Sequence, residues 1–109
     1  MVHGPHLCPV FLSKPVRYYS NTARDRTRIM NENRGRAVVY QWVNLITGEL
    51  YVGSGIDGAT RLGSYWTPSM LGRNRRVYNN IRAYAHHNFA LAILEDLGPT
   101  SQVSNDALL

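Results

Sequence analysis

The sequence predicts a small α+β domain: a three-stranded sheet, made of a β-hairpin plus one strand, flanked by helices in the order β-β-α-α-β. Three observations predict it. Residues 37–43, Ala-Val-Val-Tyr-Gln-Trp-Val, are β-branched and aromatic, and Leu50-Tyr51-Val52-Gly53 resumes that character after a turn-rich loop. Residues 74–85 place Val77, Ile81 and Tyr84-Ala85 three to four positions apart, the period of a helix with one apolar face. Residues 88–95 alternate large and small apolar side chains, as a strand does.

The chain has 109 residues and a mass of 12.3 kDa, enough for one domain and too little for two. Hydrophobic residues make up 44% of it, too many for a wholly disordered protein. No apolar run approaches the roughly 18 residues of a membrane span, so no membrane partner is expected. A single cysteine, Cys8, excludes an intrachain disulfide and a cysteine-rich zinc site.

Taken in order, the elements are these. Residues 1–36 read as a basic irregular arm or leader, because Pro5, Pro9 and Pro15 break any early helix. The first acid is Asp25, and the run Arg17-Tyr18-Tyr19-Ser20 precedes it. Such an acid-poor, Arg- and Ser-containing start is similar to a mitochondrial presequence, which implies a mitochondrial location. The folded domain is expected over 37–97. In its hairpin, Asn44 and Gly48 bound the loop. Asp57 caps a short helix over 58–65, weakened by Gly58 and Gly63. Thr67-Pro68-Ser69 is a break, and the 74–85 helix carries Arg75, Arg76 and Arg82 off its apolar stripe. Beyond the last strand, 98–109 reads as a tail or helix stub that Ser104 or Asn105 could cap.

The charge is uneven. Residues 1–36 hold seven cations against Asp25 and Glu32. The remainder is neutral overall, yet 59–89 contains Arg61, Arg73, Arg75, Arg76 and Arg82 and no acid. Basic segments of this kind attract polyanions, nucleic acid first among them. Other sites are poorly supported. His86 and His87 are adjacent and would point apart, and the glycines at 53, 55 and 58 lack the lysine of a phosphate loop. Trp42 and Trp66 could stack on bases, but for Trp42 burial is the simpler expectation.

One constellation carries chemistry. Tyr40 closes the triplet Val38-Val39-Tyr40, and Tyr51 opens Tyr51-Val52-Gly53 eleven residues later. Arg61 follows ten residues after Tyr51, and Tyr65 four after that, on one helix face. With the surrounding text, Tyr40-Gln41-Trp42-Val43-Asn44 through Gly48-Glu49-Leu50-Tyr51-Val52-Gly53-Ser54 and Asn88-Phe89 to Glu95, this resembles the GIY-YIG nuclease family over residues 37–97. The likeness is to the intron-encoded homing endonucleases of phage and fungal mitochondria. It implies metal-dependent hydrolysis of DNA phosphodiesters. Tyr40 would orient or deprotonate a water, Tyr51 would support it, Arg61 would offer its planar fork to the scissile phosphate, and Tyr65 would touch the same region. Arg73, Arg75, Arg76 and Arg82 are the nucleic-acid-binding candidates.

The resemblance also implies Mg²⁺, held in the family by a Glu on a helix after the third strand. No ligand for it is identified in this chain, which stops at Leu109 where that helix would begin. Glu49 lies in the hairpin, Glu95 ends the strand, Asp57 caps a helix, and Asp106 sits near the terminus. The domain is therefore expected to be an incomplete nuclease. The alternatives are an inactive remnant that binds nucleic acid weakly and nonspecifically, or a small basic organellar RNA-binding protein. Without a C-terminal helix, one sheet face would be bare and stability marginal.

Overall fold

A computed structural model describes residues 5–67 and 75–102. In chain order the elements are β1 (Arg17–Tyr19), α1 (Arg26–Asn33), β2 (Arg36–Asn44), β3 (Leu50–Gly55), α2 (Gly58–Gly63), α3 (Arg75–Tyr84) and β4 (Phe89–Pro99). Single 3₁₀ turns follow α2 at Ser64–Trp66 and precede β4 at His86–Asn88.

The class is α+β, as the sequence implies, but the sheet has four antiparallel strands rather than three, ordered β1-β4-β2-β3. The added strand comes from the stretch read as irregular. Proline forbids helix there but tolerates extended chain. After Pro15, the Val16 amide donates to the Ile93 carbonyl at 2.8 Å, and β1 then runs along β4 with Tyr19 opposite Leu91. Helix α1 was equally hidden. Its sequence, Arg-Thr-Arg-Ile-Met-Asn-Glu-Asn, shows no apolar stripe, and its two buried residues are Ile29 and Asn33. The hairpin falls where expected, with Tyr40 opposite Gly53 and Trp42 opposite Tyr51. Asp57 caps α2 as its sequence position suggests, accepting from the amides of Ala59 and Thr60. The expected stub around 104–109 lies outside the described residues.

Side chains alternate across the sheet. One face carries Val38, Tyr40 and Trp42 of β2 with Leu91 and Ile93 of β4, and the helices close over it through Ile29, Leu62, Val77 and Ile81. The other face carries Gln41, Val43 and Ala90, all buried. Residues 7–16 cover it. Phe11 packs on Val43, Leu45 and Ala90 and meets the Tyr18 ring edge-on at 5.3 Å. Gln41 binds this segment as a strand would, donating to the Val10 carbonyl at 2.7 Å and accepting from the Leu12 amide at 3.0 Å. The face expected to be bare is thus covered from the N-terminal side.

Candidate active site

Tyr40, Arg61 and Tyr65 meet in one cluster. β2 directs Tyr40 to the helical face. The last turn of α2 places Arg61 so that its Nε donates to the Tyr40 hydroxyl at 3.1 Å. The 3₁₀ turn brings the Tyr65 hydroxyl to 2.7 Å from that of Tyr40, with the rings edge to face at 6.0 Å. Trp42 backs the cluster with its ring 5.1 Å from Tyr65.

Two glycines of β3 make the cluster possible. A Cβ at Gly53 would lie 2.6 Å from the Tyr40 hydroxyl, so the Tyr40 ring crosses space that any side chain at 53 would fill. A Cβ at Gly55 would meet the Arg61 side chain in the same way. The third residue of the Tyr51-Val52-Gly53 triplet is therefore a spatial requirement of the first tyrosine. The role of Gly55 was not read from the sequence; its signal was a second glycine at the next same-face position of the strand.

Beside the cluster opens a cleft of about 160 Å³, lined by Tyr51, Val52, Tyr65, Arg76 and Val77. Tyr51 is half-buried there, and its hydroxyl donates to Glu49 Oε2 at 3.0 Å. The sequence places Glu49 in the hairpin and weighs it only as a poor substitute for a metal ligand; its contact with Tyr51 is a feature of the fold. Across the cleft, α3 supplies Arg76, which is exposed, while Arg82 lies over the Tyr78 ring at 6.0 Å. Arg75 belongs to the same helix, and Arg73 lies outside the described residues.

The chain matches no protein-family model, no curated protein and no solved structure.

The electrostatics of the two strand tyrosines differ. Tyr40 is fully buried, and burial, followed by the charge and hydrogen bond of Tyr65, drives its hydroxyl far above the usual phenol value against the pull of Arg61. Tyr51 is raised as well, first by burial and then by Glu49, while Arg76 pulls it down. The ion pairs among the described residues use Arg17, Arg24, Arg28 and Arg36; Arg61, Arg76 and Arg82 form none.

Among the described residues, no three His, Cys, Asp or Glu side chains lie together. Both Glu49 oxygens are already hydrogen-bonded, Oε1 to Thr47 and Asn80 and Oε2 to Tyr51.

A second aromatic group flanks the cluster. Trp66 stacks on His86 at 4.4 Å and 8°, and the Arg26 guanidinium sits over the Trp66 ring at 5.3 Å. His86 Nε2 lies 3.2 Å from the Tyr65 carbonyl, and burial pushes the imidazole down to about 4. No helix among the described residues is long and apolar enough to cross a membrane.

Proposed function

We propose that the protein is a nucleic-acid phosphodiesterase, a DNA endonuclease domain of the GIY-YIG type. The observation that carries this reading is the contact of Arg61 Nε with Tyr40 at the side of a cleft that Tyr51, Tyr65 and Arg76 line. With Nε so engaged, the Arg61 side chain is oriented, and among the described residues no ion pair claims its Nη nitrogens. Those nitrogens suit two nonbridging phosphate oxygens. Arg76 supplies a second cation across the cleft, suited to a neighbouring phosphate of the same strand.

Plasmid nicking tests this. Wild type and Arg61→Ala are incubated with supercoiled DNA, with and without Mg²⁺. The expected result is Mg²⁺-dependent nicking by wild type that falls by about 100-fold or more in Arg61→Ala, the usual loss when a transition-state donor is removed. Folded wild type that binds DNA and leaves it intact under both conditions rejects the enzyme reading.

A second reading is a non-catalytic nucleic-acid binder. The full burial of the Tyr40 hydroxyl favours it, since a sealed phenol reaches no water. On that reading Arg61→Ala weakens RNA or DNA binding no more than Arg76→Ala does.

A further inference from the structure

Tyr40 and Tyr51 share a face of the hairpin but occupy opposite settings. The Tyr40 hydroxyl is enclosed by Tyr65 and Arg61, whereas Tyr51 opens on the cleft. Behind Tyr51 stands a carboxylate that is itself held in place. Glu49 Oε1 accepts from Thr47 Oγ1 at 3.1 Å and from Asn80 Nδ2 at 3.2 Å. Asn80 is oriented in turn by Asn44, whose Nδ2 donates to Asn80 Oδ1 at 2.9 Å. Asn44 is fully buried at the end of β2, and its Oδ1 accepts from the amides of Ile46 and Thr47. The chain of contacts from β2 through α3 to the hairpin loop leaves Oε2 of Glu49 for the Tyr51 hydroxyl.

This bond has a direction. The carboxylate only accepts, so the Tyr51 proton points at Glu49, while the lone pairs of the phenol oxygen, which also takes a hydrogen bond from the Arg76 side chain, are turned away from it. We propose that Tyr51 and Glu49 together take the proton from the attacking water, Tyr51 touching the water and Glu49 acting through Tyr51, while Tyr40 holds Arg61 in position. The inference rests on the nuclease reading above. In the step, an O–H bond of the water breaks and its proton passes to the Tyr51 oxygen. The Tyr51 proton passes at the same time to Glu49 Oε2. The water oxygen bonds to phosphorus, the bond from phosphorus to the leaving sugar oxygen breaks, and the departing alkoxide takes a proton from solvent. Nothing is oxidised or reduced. No free phenolate forms, so the high proton affinity of a half-buried tyrosine is no obstacle at neutral pH. Among the described residues, the ionisable groups that face Tyr51 are Glu49 from the loop, Arg76 from α3 and Tyr65 from the 3₁₀ turn.

Single-turnover nicking rates between about pH 5 and pH 9 decide it, for wild type, Glu49→Gln, Tyr51→Phe and the double variant, each shown folded by circular dichroism. Glu49→Gln should fall about 100-fold at pH 7, the usual scale for general-base loss, and climb with hydroxide about tenfold per pH unit while the DNA half-saturation stays unchanged. Tyr51→Phe should share that profile, and the double variant should be no slower than Tyr51→Phe, because the two residues act as one unit. Should Glu49→Gln not fold, the profile of Tyr51→Phe carries the decision. A Glu49→Gln profile parallel to wild type, or additive losses in the double variant, overturns the relay and leaves the nuclease reading standing. Wild type that cuts nothing overturns both.

Discussion

Gly53 is the residue on which the cluster most directly depends. A methyl group there would stand 2.6 Å from the Tyr40 hydroxyl, and that ring, packed against Tyr65 and Trp42, has little room to retreat. Gly53→Ala should therefore cost about 1–3 kcal/mol of stability in urea denaturation, the scale of core overpacking. It should also lengthen the Tyr40–Arg61 contact. An unchanged midpoint would mean that β3 shifts freely. His86 sets a pH dependence. Its folded value of about 4 lies below the value near 6.5 of an unfolded histidine, so the unfolded chain takes up the proton first. Stability is then full above pH 6.5 and falls as the pH drops towards 4, by about 1–2 kcal/mol once partial exposure is allowed for. Below pH 4 that contribution stays lost. His86→Phe keeps the stack on Trp66 and should flatten the melting-temperature slope between pH 6.5 and 4.5; an unaltered slope would place the titration elsewhere. Of the site, Tyr40, Tyr51, Arg61 and Tyr65 were singled out by the family resemblance rather than by spacing alone, and the fold brings Tyr40, Arg61 and Tyr65 together with Tyr51 at the adjoining cleft. Glu49 and Asn80 were not legible, since their partnership with Tyr51 depends on how α3 crosses the hairpin, which one-dimensional spacing does not record.

At the level of elements, the hairpin, α2, α3 and β4 could be read from periodicity and turn residues, while β1 and α1 could not. The reason lies in what holds them. α1 offers the core Ile29 and a polar side chain, Asn33, both fully buried. Asn33 Nδ2 donates to the Tyr19 hydroxyl at 3.1 Å and to the Ile29 carbonyl at 2.8 Å, and its Oδ1 accepts twice from Arg17. Arg17 also pairs with Asp96 of β4 at 3.0 Å, and Arg36 of β2 joins the same carboxylate at 2.9 Å. A search for apolar stripes misses an element fastened by amide and guanidinium groups. Asn33→Ala strands several of these partners at once and should cost about 2–3 kcal/mol in chemical denaturation. A loss under about 0.5 kcal/mol, the range of an ordinary surface change, would show that α1 is held by Ile29 alone. Burial alone would raise the Asp96 carboxyl, but Arg36, the Gly98 amide and Arg17 hold it below the usual range. Its contribution is present above the unfolded carboxylate value and is lost as the pH falls below it, after the His86 loss is complete.

For the whole molecule, the decisive segment is 7–16, which does for the second sheet face what a C-terminal helix was expected to do. It shields Val43, Leu45 and Ala90 and satisfies the buried Gln41 amide from both sides. A chain lacking residues 1–16 should melt more than about 10 °C lower, or aggregate through the uncovered face; at 4–8 °C per kcal/mol for a domain of this size, that is a loss of roughly 2 kcal/mol. An unchanged melting temperature would make the segment dispensable. The order of the sheet adds something about time. β4 is central, with β1 on one side and β2 on the other, and it is the last of the described strands. During synthesis β1, α1 and the covering segment leave the ribosome long before the strand they need exists. Until Phe89–Pro99 emerges, only the β2–β3 hairpin and short helices can form, and neither is stable alone. Assembly of the sheet must therefore wait for residues 89–99, and its pace is set by the closure that brings β1 onto β4.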